Sequence, residues 1–339
     1  MPRDFRSDNT AAASPEILHA LIHAASRSHD PYASDGITGK VHARVEELFE
    51  AEVEVFPIVT GTAANALTLS MVARPFGRIL CHSESHIVTD ECGAVEFLSK
   101  GGRLEPVASP NCKLSLEALQ AITIDDDIHH LRAGALSLSQ ATERGTVYSP
   151  SEIGALSGFA RALGIPVHMD GTRFHNALAS TGATPAELTW RNGVDVICLG
   201  ATKGGALAAE AVVFFDRTLA KDFQRQIKRS GHLLSKSWAI SAQLDAYFSD
   251  DLWLRNARHA NEMARYLANR LLAEAGLQAE FAVEANLVFT RLSATQATKL
   301  ECNGFKFYRW DLSENPLARF VTSHATKVPD IEALIECIA

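Results

Sequence analysis

The chain has 339 residues, 47% of them hydrophobic and 21% charged, with a formal net charge of −8. That length exceeds one ordinary domain, so a large domain with a smaller attachment is expected, and the composition excludes extensive disorder. The acidic balance, without Lys/Arg blocks interleaved with aromatics, argues against nucleic acid and anionic membrane as partners and leaves small molecules.

The start, MPRDFRSDNT, lacks the apolar core of a signal peptide, and no apolar run reaches the length of a membrane span, so a cytoplasmic protein is expected. The polar residues 1–36 read as an arm and one helix crossing the large domain. From residue 53 onward short apolar runs alternate with helical patterns: VEVFPIV and a helix from Thr62, RILCH and a helix through VTDECGAVEFL, GALSLSQ and a helix after Ser149-Pro150. IPVHMD, VDVICLG and AAEAVVFF continue the rhythm, which predicts a mostly parallel sheet covered on both faces. Ser149 with Glu152 and Thr184 with Glu187 form capping boxes with Pro at the first helical position, and Ser14-Pro15 is similar. After residue 250 a long helix leads to AVEANLVFTRL, a helix near 294–302, FKFYRW, ARFVTSHA and a closing helix from Val328. The expected division is a large domain with its arm over residues 1–250 and a small α+β domain with an antiparallel sheet over 251–339.

Six cysteines lie far apart without a C-x-x-C pair, as reduced thiols do. The stretch CHSESHIVTDEC gathers metal-ligand types, but zinc spacing and a second ligand pair are missing, so no metal is expected.

Ligands of open parallel sheets bind beyond the carboxyl ends of the strands, and four such ends carry candidate chemistry. Thr60, Gly61 and Thr62 stand between a strand and a helix, where free N–H groups and hydroxyls cradle a phosphate; an ordinary N-cap and turn reads the same way. Asp170 ends IPVHMD and is followed by Arg173; alone, that carboxylate is equally a metal ligand, a helix cap or an ion-pair partner. One strand–helix–strand unit later, VDVICLG runs into Ala201, Thr202, Lys203 and two glycines, small residues that leave room for substrate. Asp170, Lys203 and the cradle on one rim meet the needs of pyridoxal 5'-phosphate: a lysine for a Schiff base, a carboxylate to keep the pyridine nitrogen protonated, and a helix start for the phosphate. His86, at the fourth end, can lie over the ring and exchange protons, or be a capping or core histidine. Arg319 opens a small-domain strand and suits an α-carboxylate, or a surface ion pair.

These residues resemble the low-specificity L-threonine aldolases, in the aspartate-aminotransferase-like fold (fold type I) of pyridoxal phosphate enzymes. FRSDNT, TGTAAN, SHIVTDECGA, SQATERGTVY, HMDGTRFHNAL, LGATKGGAL and ARFVTSH carry the resemblance over nearly the whole chain, and HIVTDECGA and SQATE are similar to the bacterial branch that includes phenylserine aldolases. The resemblance implies that Lys203 holds the cofactor, Asp170 pairs with its pyridine nitrogen, His86 stacks on its ring, Gly61 and Thr62 bind its phosphate, and Thr60 and Thr202 also belong to the cofactor-binding residues. It implies that Ser7, Arg173 and Arg319 hold the substrate carboxylate, with Arg173 also near the cofactor's phenolic oxygen, and that Gln140, Glu143 and Tyr32 line the substrate site. It also implies a homotetramer, a dimer of dimers with each site completed by a neighbour.

Two departures stand out: Tyr32-Ala33-Ser34-Asp35 replaces the usual Tyr-Gly-Asp-Asp, and Trp238 stands where many relatives carry an arginine near a neighbouring subunit's phosphate, with Lys228 or Lys236 as substitutes. The implied reaction is retro-aldol cleavage of threonine, allo-threonine and other β-hydroxy-α-amino acids to glycine and an aldehyde, with His86, directly or through a water, as base. Its rivals are another pyridoxal phosphate reaction on the same scaffold, such as transamination, racemisation or β-elimination, and a paralogue impaired in catalysis.

Overall fold

The computed structural model describes residues 3–122, 124, 127–311 and 313–338. Seven strands form the main sheet: β1 (Glu54–Ile58), β2 (Arg78–His82), β3 (Arg103–Val107), β4 (Ala133–Ser139), β5 (Val167–Gly171), β6 (Val196–Gly200) and β7 (Glu210–Phe214), in the order β1-β7-β6-β5-β4-β2-β3. Only β7 runs against the rest, antiparallel to both β1 and β6. The sheet is buried on both sides because its strands place alternate residues in two cores. Ile197, Leu199 and Val213 face the helices Gly36–Phe49, Pro150–Ala162 and Trp238–Phe248, whereas Val196, Cys198 and Phe214 face the helix Gly61–Val72.

Every expected strand of the large sheet is present, and β3 joins it at the edge. Its residues, RLEPV, are mostly exposed or half-buried and so lack the apolar run that marks an interior strand. The Ser149 capping box forms with both hydrogen bonds. The Thr184 and Glu187 bonds of the second box also form, at 2.9 and 3.2 Å, but they close a turn and not a helix. Ser14 precedes the helix Pro15–Ala25 without a side-chain cap bond.

A second sheet, β8 (Leu287–Arg291), β9 (Tyr308–Arg309) and β10 (Leu317–Val321), is antiparallel with β10 in the centre. The N-terminal arm docks on this part: Asp4 bridges Lys306, and Phe5 packs edge-on against Phe320 at 6.3 Å. The helix Leu252–Ala275 joins the two bodies, with Leu252 and Trp253 in the large core and Leu267 and Leu271 in the small one. On that basis we propose the domain division at residues 250/251. The chain thus has the α/β architecture of a mostly parallel sheet with a small antiparallel sheet attached.

Candidate active site

Strand β6 ends at Gly200 and turns at once through the short 3-10 helix Thr202–Gly204. The glycines after Lys203 serve the packing of this turn. A Cβ on Gly204 would lie 2.2 Å from the Tyr247 hydroxyl, and Gly205, at φ +118°, approaches Ser14 so closely that a Cβ would fall 2.4 Å from its Oγ. The Asn256 amide donates to the Gly204 carbonyl at 2.7 Å and fastens the turn to the long helix. Lys203 itself is half-buried in a cleft of about 440 Å³, lined also by Asn9, Thr60, Gly61, Thr62, His86 and Glu210. Among the described residues its amine has no hydrogen-bond or ion-pair partner. Burial, then the charge of Arg173, pushes its pKa down.

Asp170 is buried at the end of β5 with three donors. Oδ1 accepts from the Thr172 amide at 3.0 Å and the Thr172 hydroxyl at 2.7 Å, and Oδ2 accepts from Asn65 Nδ2 at 2.9 Å. Burial raises its pKa, but His86, the two Thr172 bonds and Asn65 outweigh that and hold it below the usual carboxylate range. His86 begins the single turn His86–Thr89 beyond β2, and its Nδ1 lies 2.9 Å from Glu91 Oε1. Burial lowers the histidine's pKa, yet the Glu91 bond and the charges of Asp170 and Glu143 lift it above the ordinary value. The ligand-type atoms of His86, Glu91 and Asp170 all lie within 4.8 Å of one another.

The helix Gly61–Val72 opens on this cleft. Thr60 is its N-cap and accepts from the Ala63 amide at 3.2 Å, while the amides of Gly61 and Thr62, in the first turn, have no helical partner. The Thr202 hydroxyl is engaged with the backbone of Ala209, accepting from its amide at 3.1 Å. Glu210, the first residue of β7, is buried beside them; burial lifts its pKa to about 8 against the opposing Thr202 bond and Lys203 charge.

Arg173 is buried and grips Asp8 with Nε and Nη2 at 2.8 and 3.0 Å. Ser7 caps the short 3-10 helix Asp8–Thr10, accepting from the Asn9 amide at 3.2 Å and donating to Asp8 Oδ1 at 3.3 Å. Arg319, on β10, lies against the rings of Tyr308 and Trp310, 5.4 and 5.2 Å from their centroids, and among the described residues its Nε has no hydrogen-bond partner. Burial and then the like charge of Arg173 lower its pKa, so the two guanidinium groups share one region. Glu143 is half-buried, and its charge is felt by His86, Lys203, Arg173 and Arg319. Gln140 is fully buried, with its amide committed on both sides to the backbone of Tyr148, at 2.9 and 3.0 Å.

Tyr32 is exposed, outside the cleft lining of its own chain, with the Lys228 ammonium 4.7 Å from its ring centroid. Trp238 packs on His29 with centroids 5.1 Å apart. Sequence reasoning did not single out Asp8, Asn65, Glu91, Thr172 or Glu210 as site residues. The first four lie inside quoted motifs (FRSDNT, TGTAAN, TDECGA and HMDGTR), which was the available signal.

The donor set fits pyridoxal 5'-phosphate. An unpartnered, half-buried amine can hold the aldehyde, an ionised carboxylate can face a protonated ring nitrogen, and unfilled helix-start amides can meet a phosphate. The β-eliminating lyase family matches residues 4–295. A low specificity L-threonine aldolase from Pseudomonas aeruginosa is 40% identical over 98% of this chain and 96% of that protein. A threonine aldolase from Leishmania major superposes with a TM-score of 0.93 at 26% identity, covering 99% of this chain and 98% of that one. An aspartate aminotransferase from Thermotoga maritima, at 13% identity, covers 99% of this chain and 90% of its own with a TM-score of 0.76, which speaks to the fold alone. With cleft, sequence and superposition in agreement, the chain belongs to the β-eliminating lyase family of pyridoxal 5'-phosphate enzymes and, within it, to the threonine aldolases.

Proposed function

We propose that the protein cleaves L-threonine, L-allo-threonine and other β-hydroxy-α-amino acids, phenylserine among them, to glycine and an aldehyde. The observation that carries this reading is the Lys203 amine, without a partner among the described residues, in a cleft also lined by His86, which pairs with the buried Glu91, near the ionised Asp170. When bound, the cofactor supplies an aldehyde for amines and a ring that accepts the electron pair of the breaking Cα–Cβ bond.

The chain's own residues do the rest. Lys203, whose amine has no partner among the described residues and whose pKa is lowered by burial, would hold the aldehyde. Asp170 keeps the ring nitrogen protonated. Thr60, Gly61 and Thr62 would cradle the phosphate, and Thr202 would line the cofactor site beside Lys203. Arg319, whose Nε has no hydrogen-bond partner among the described residues, and Arg173 would bind the α-carboxylate, with Ser7 beside them, and Arg173 would also serve the cofactor's phenolic oxygen. His86, directly or through a water, takes the β-hydroxyl proton at Nε2, since Nδ1 is held by Glu91. Glu143, half-buried and with its charge felt by His86 and Lys203, lines the substrate space. Gln140 supports that wall from behind, an assignment its closed bonds to Tyr148 favour over direct contact.

We further propose a cytoplasmic homotetramer, a dimer of dimers. Tyr32 stands exposed and outside the lining of its own cleft, which favours service to a neighbour's site; Trp238 packs on His29 of the same segment. All six cysteines are free, and no helix among the described residues is long and apolar enough to cross a membrane. Light scattering tests the assembly, and cell fractionation tests the location.

The decisive experiment incubates the cofactor-loaded protein with L-threonine, L-allo-threonine and phenylserine and identifies the products. Glycine with the matching aldehyde supports the proposal. A keto acid would assign elimination or transamination, and no turnover of any of them would favour an impaired paralogue.

A further inference from the structure

Glu91 is a buried carboxylate with no lysine or arginine among its hydrogen-bond partners in the described residues. It lies between the short helices His86–Thr89 and Ala94–Leu98, and its Oε1 receives two contacts, His86 Nδ1 at 2.9 Å and Asn65 Nδ2 at 2.9 Å. The same Asn65 nitrogen donates to Asp170 Oδ2 at 2.9 Å. Both hydrogens of one amide are therefore spent on two carboxylates, which fixes its orientation, because the reversed amide would turn its oxygen on both acids. Burial raises the pKa of Glu91 and the bonds from His86 and Asn65 oppose that, and among the described residues the imidazole is the one of these two donors that can also carry charge. His86 is thus required to present Nδ1–H to Glu91, leaving Nε2 as its only other ring nitrogen.

We propose that Glu91 is a positioning residue, which sets the tautomer and charge of His86 and ties it through Asn65 to Asp170. The proposal deepens the functional reading above and rests on it for the meaning of His86 and Asp170. Four titratable groups bear on the imidazole: Glu91, hydrogen-bonded to it from the loop after its own helix, and the charges of Asp170 at the end of β5, Glu143 in the loop after β4, and Lys203 in the turn after β6. The first three favour the imidazolium and Lys203 opposes it. Removing the charge of Glu91 while keeping its shape leaves the other three in place and isolates its share.

The test is made first on the cofactor-free protein, so that it does not depend on turnover. In the wild type, nitrogen chemical shifts of the neutral His86 ring are expected to show the Nδ1–H tautomer; an Nε2–H tautomer would overturn the proposal without any variant. In Glu91→Gln, the His86 titration is expected to move down by about one to two pH units, as loss of a hydrogen-bonded ion pair implies. An unmoved titration in a folded variant overturns it. In the loaded enzyme, Glu91→Gln should shift the acid limb of the rate profile in the same direction, whereas Asp90→Asn, at an exposed neighbour, should leave it in place. His86→Asn judges the other reading separately: full cleavage in that variant would remove His86 as the base, while the titration would still decide what Glu91 does to it.

Discussion

Arg173 and Asp8 face each other with two parallel hydrogen bonds, at 2.8 and 3.0 Å, although 165 residues separate them in the chain. Both are buried, and Asn286 of the small-domain region donates to Asp8 Oδ2 at 3.1 Å, so the arm, the main sheet and the second sheet's neighbourhood meet at one ion pair. The pair leaves Arg173 Nη1 outside the contact with Asp8 and fixes the plane of the guanidinium.

Asp8→Asn is expected to cost about 3–5 kcal/mol at neutral pH, because it leaves a buried guanidinium without its counter-charge. Burial raises the pKa of Asp8, but Arg173 and then Lys203 hold it well below its ordinary value of 3.8. The pair's contribution is accordingly present above about pH 4 and is lost as pH falls below that value. Urea denaturation at pH 7 and at pH 3 should show a wide gap between wild type and variant that narrows in acid; equal stability at pH 7 would refute the account.

Lys203→Ala is expected to lose nearly all turnover and the visible absorption of the lysine-bound cofactor. The cofactor-free variant should be at least as stable as the wild type, since an amine without partners is costly to bury. Borohydride reduction of the loaded wild type followed by peptide mapping should place the label on Lys203. A label on Lys228 or Lys236 would relocate the site.

Asp170→Asn should retain the cofactor through Lys203 and the helix start, yet cleave substrate about 10²–10⁴-fold more slowly. That range corresponds to about 3–5 kcal/mol of lost charge stabilisation. Single-turnover rates need to be compared at equal cofactor content and with melting temperatures for both proteins. Near-normal rates in a fully loaded variant would mean that another carboxylate serves the ring nitrogen.

Glu210 supplies a pH signature of the opposite sign to that of Asp8. Its ordinary value is 4.5 and burial lifts it to about 8 in the folded chain. Between those values the folded state holds a proton that the unfolded state has released, so stability should fall as pH rises through that window. Glu210→Gln should flatten the decline. Melting temperatures of the cofactor-free proteins from pH 5 to pH 8.5 provide the check, and parallel curves would show that Glu210 does not titrate there.

Much of the scaffold was legible in the chain itself. β2, β5 and β6 read directly as apolar runs, the Ser149 box as the start of a helix, and Asp170 and Lys203 as residues that end neighbouring strands. Those features depend on side-chain period and cap chemistry within a few residues, and a linear pattern records them completely. Other features depend on what the folded chain brings alongside. The exposed strand β3 has no apolar run to announce it, and β7 runs against its neighbours although its residues are as apolar as theirs. Thr184 and Glu187 make their reciprocal bonds over a turn, because two local bonds do not supply the packed face that extends a helix. The same limit governs the site: His86, Glu91, Asn65 and Asp170 come from three separate segments, and Arg173 finds Asp8 only when the arm folds back. The sequence determined which groups stand at the strand ends. Only the tertiary structure decided which of them are paired, because a buried charge takes its partner from whatever the packing places within hydrogen-bond reach, however far along the chain that partner lies.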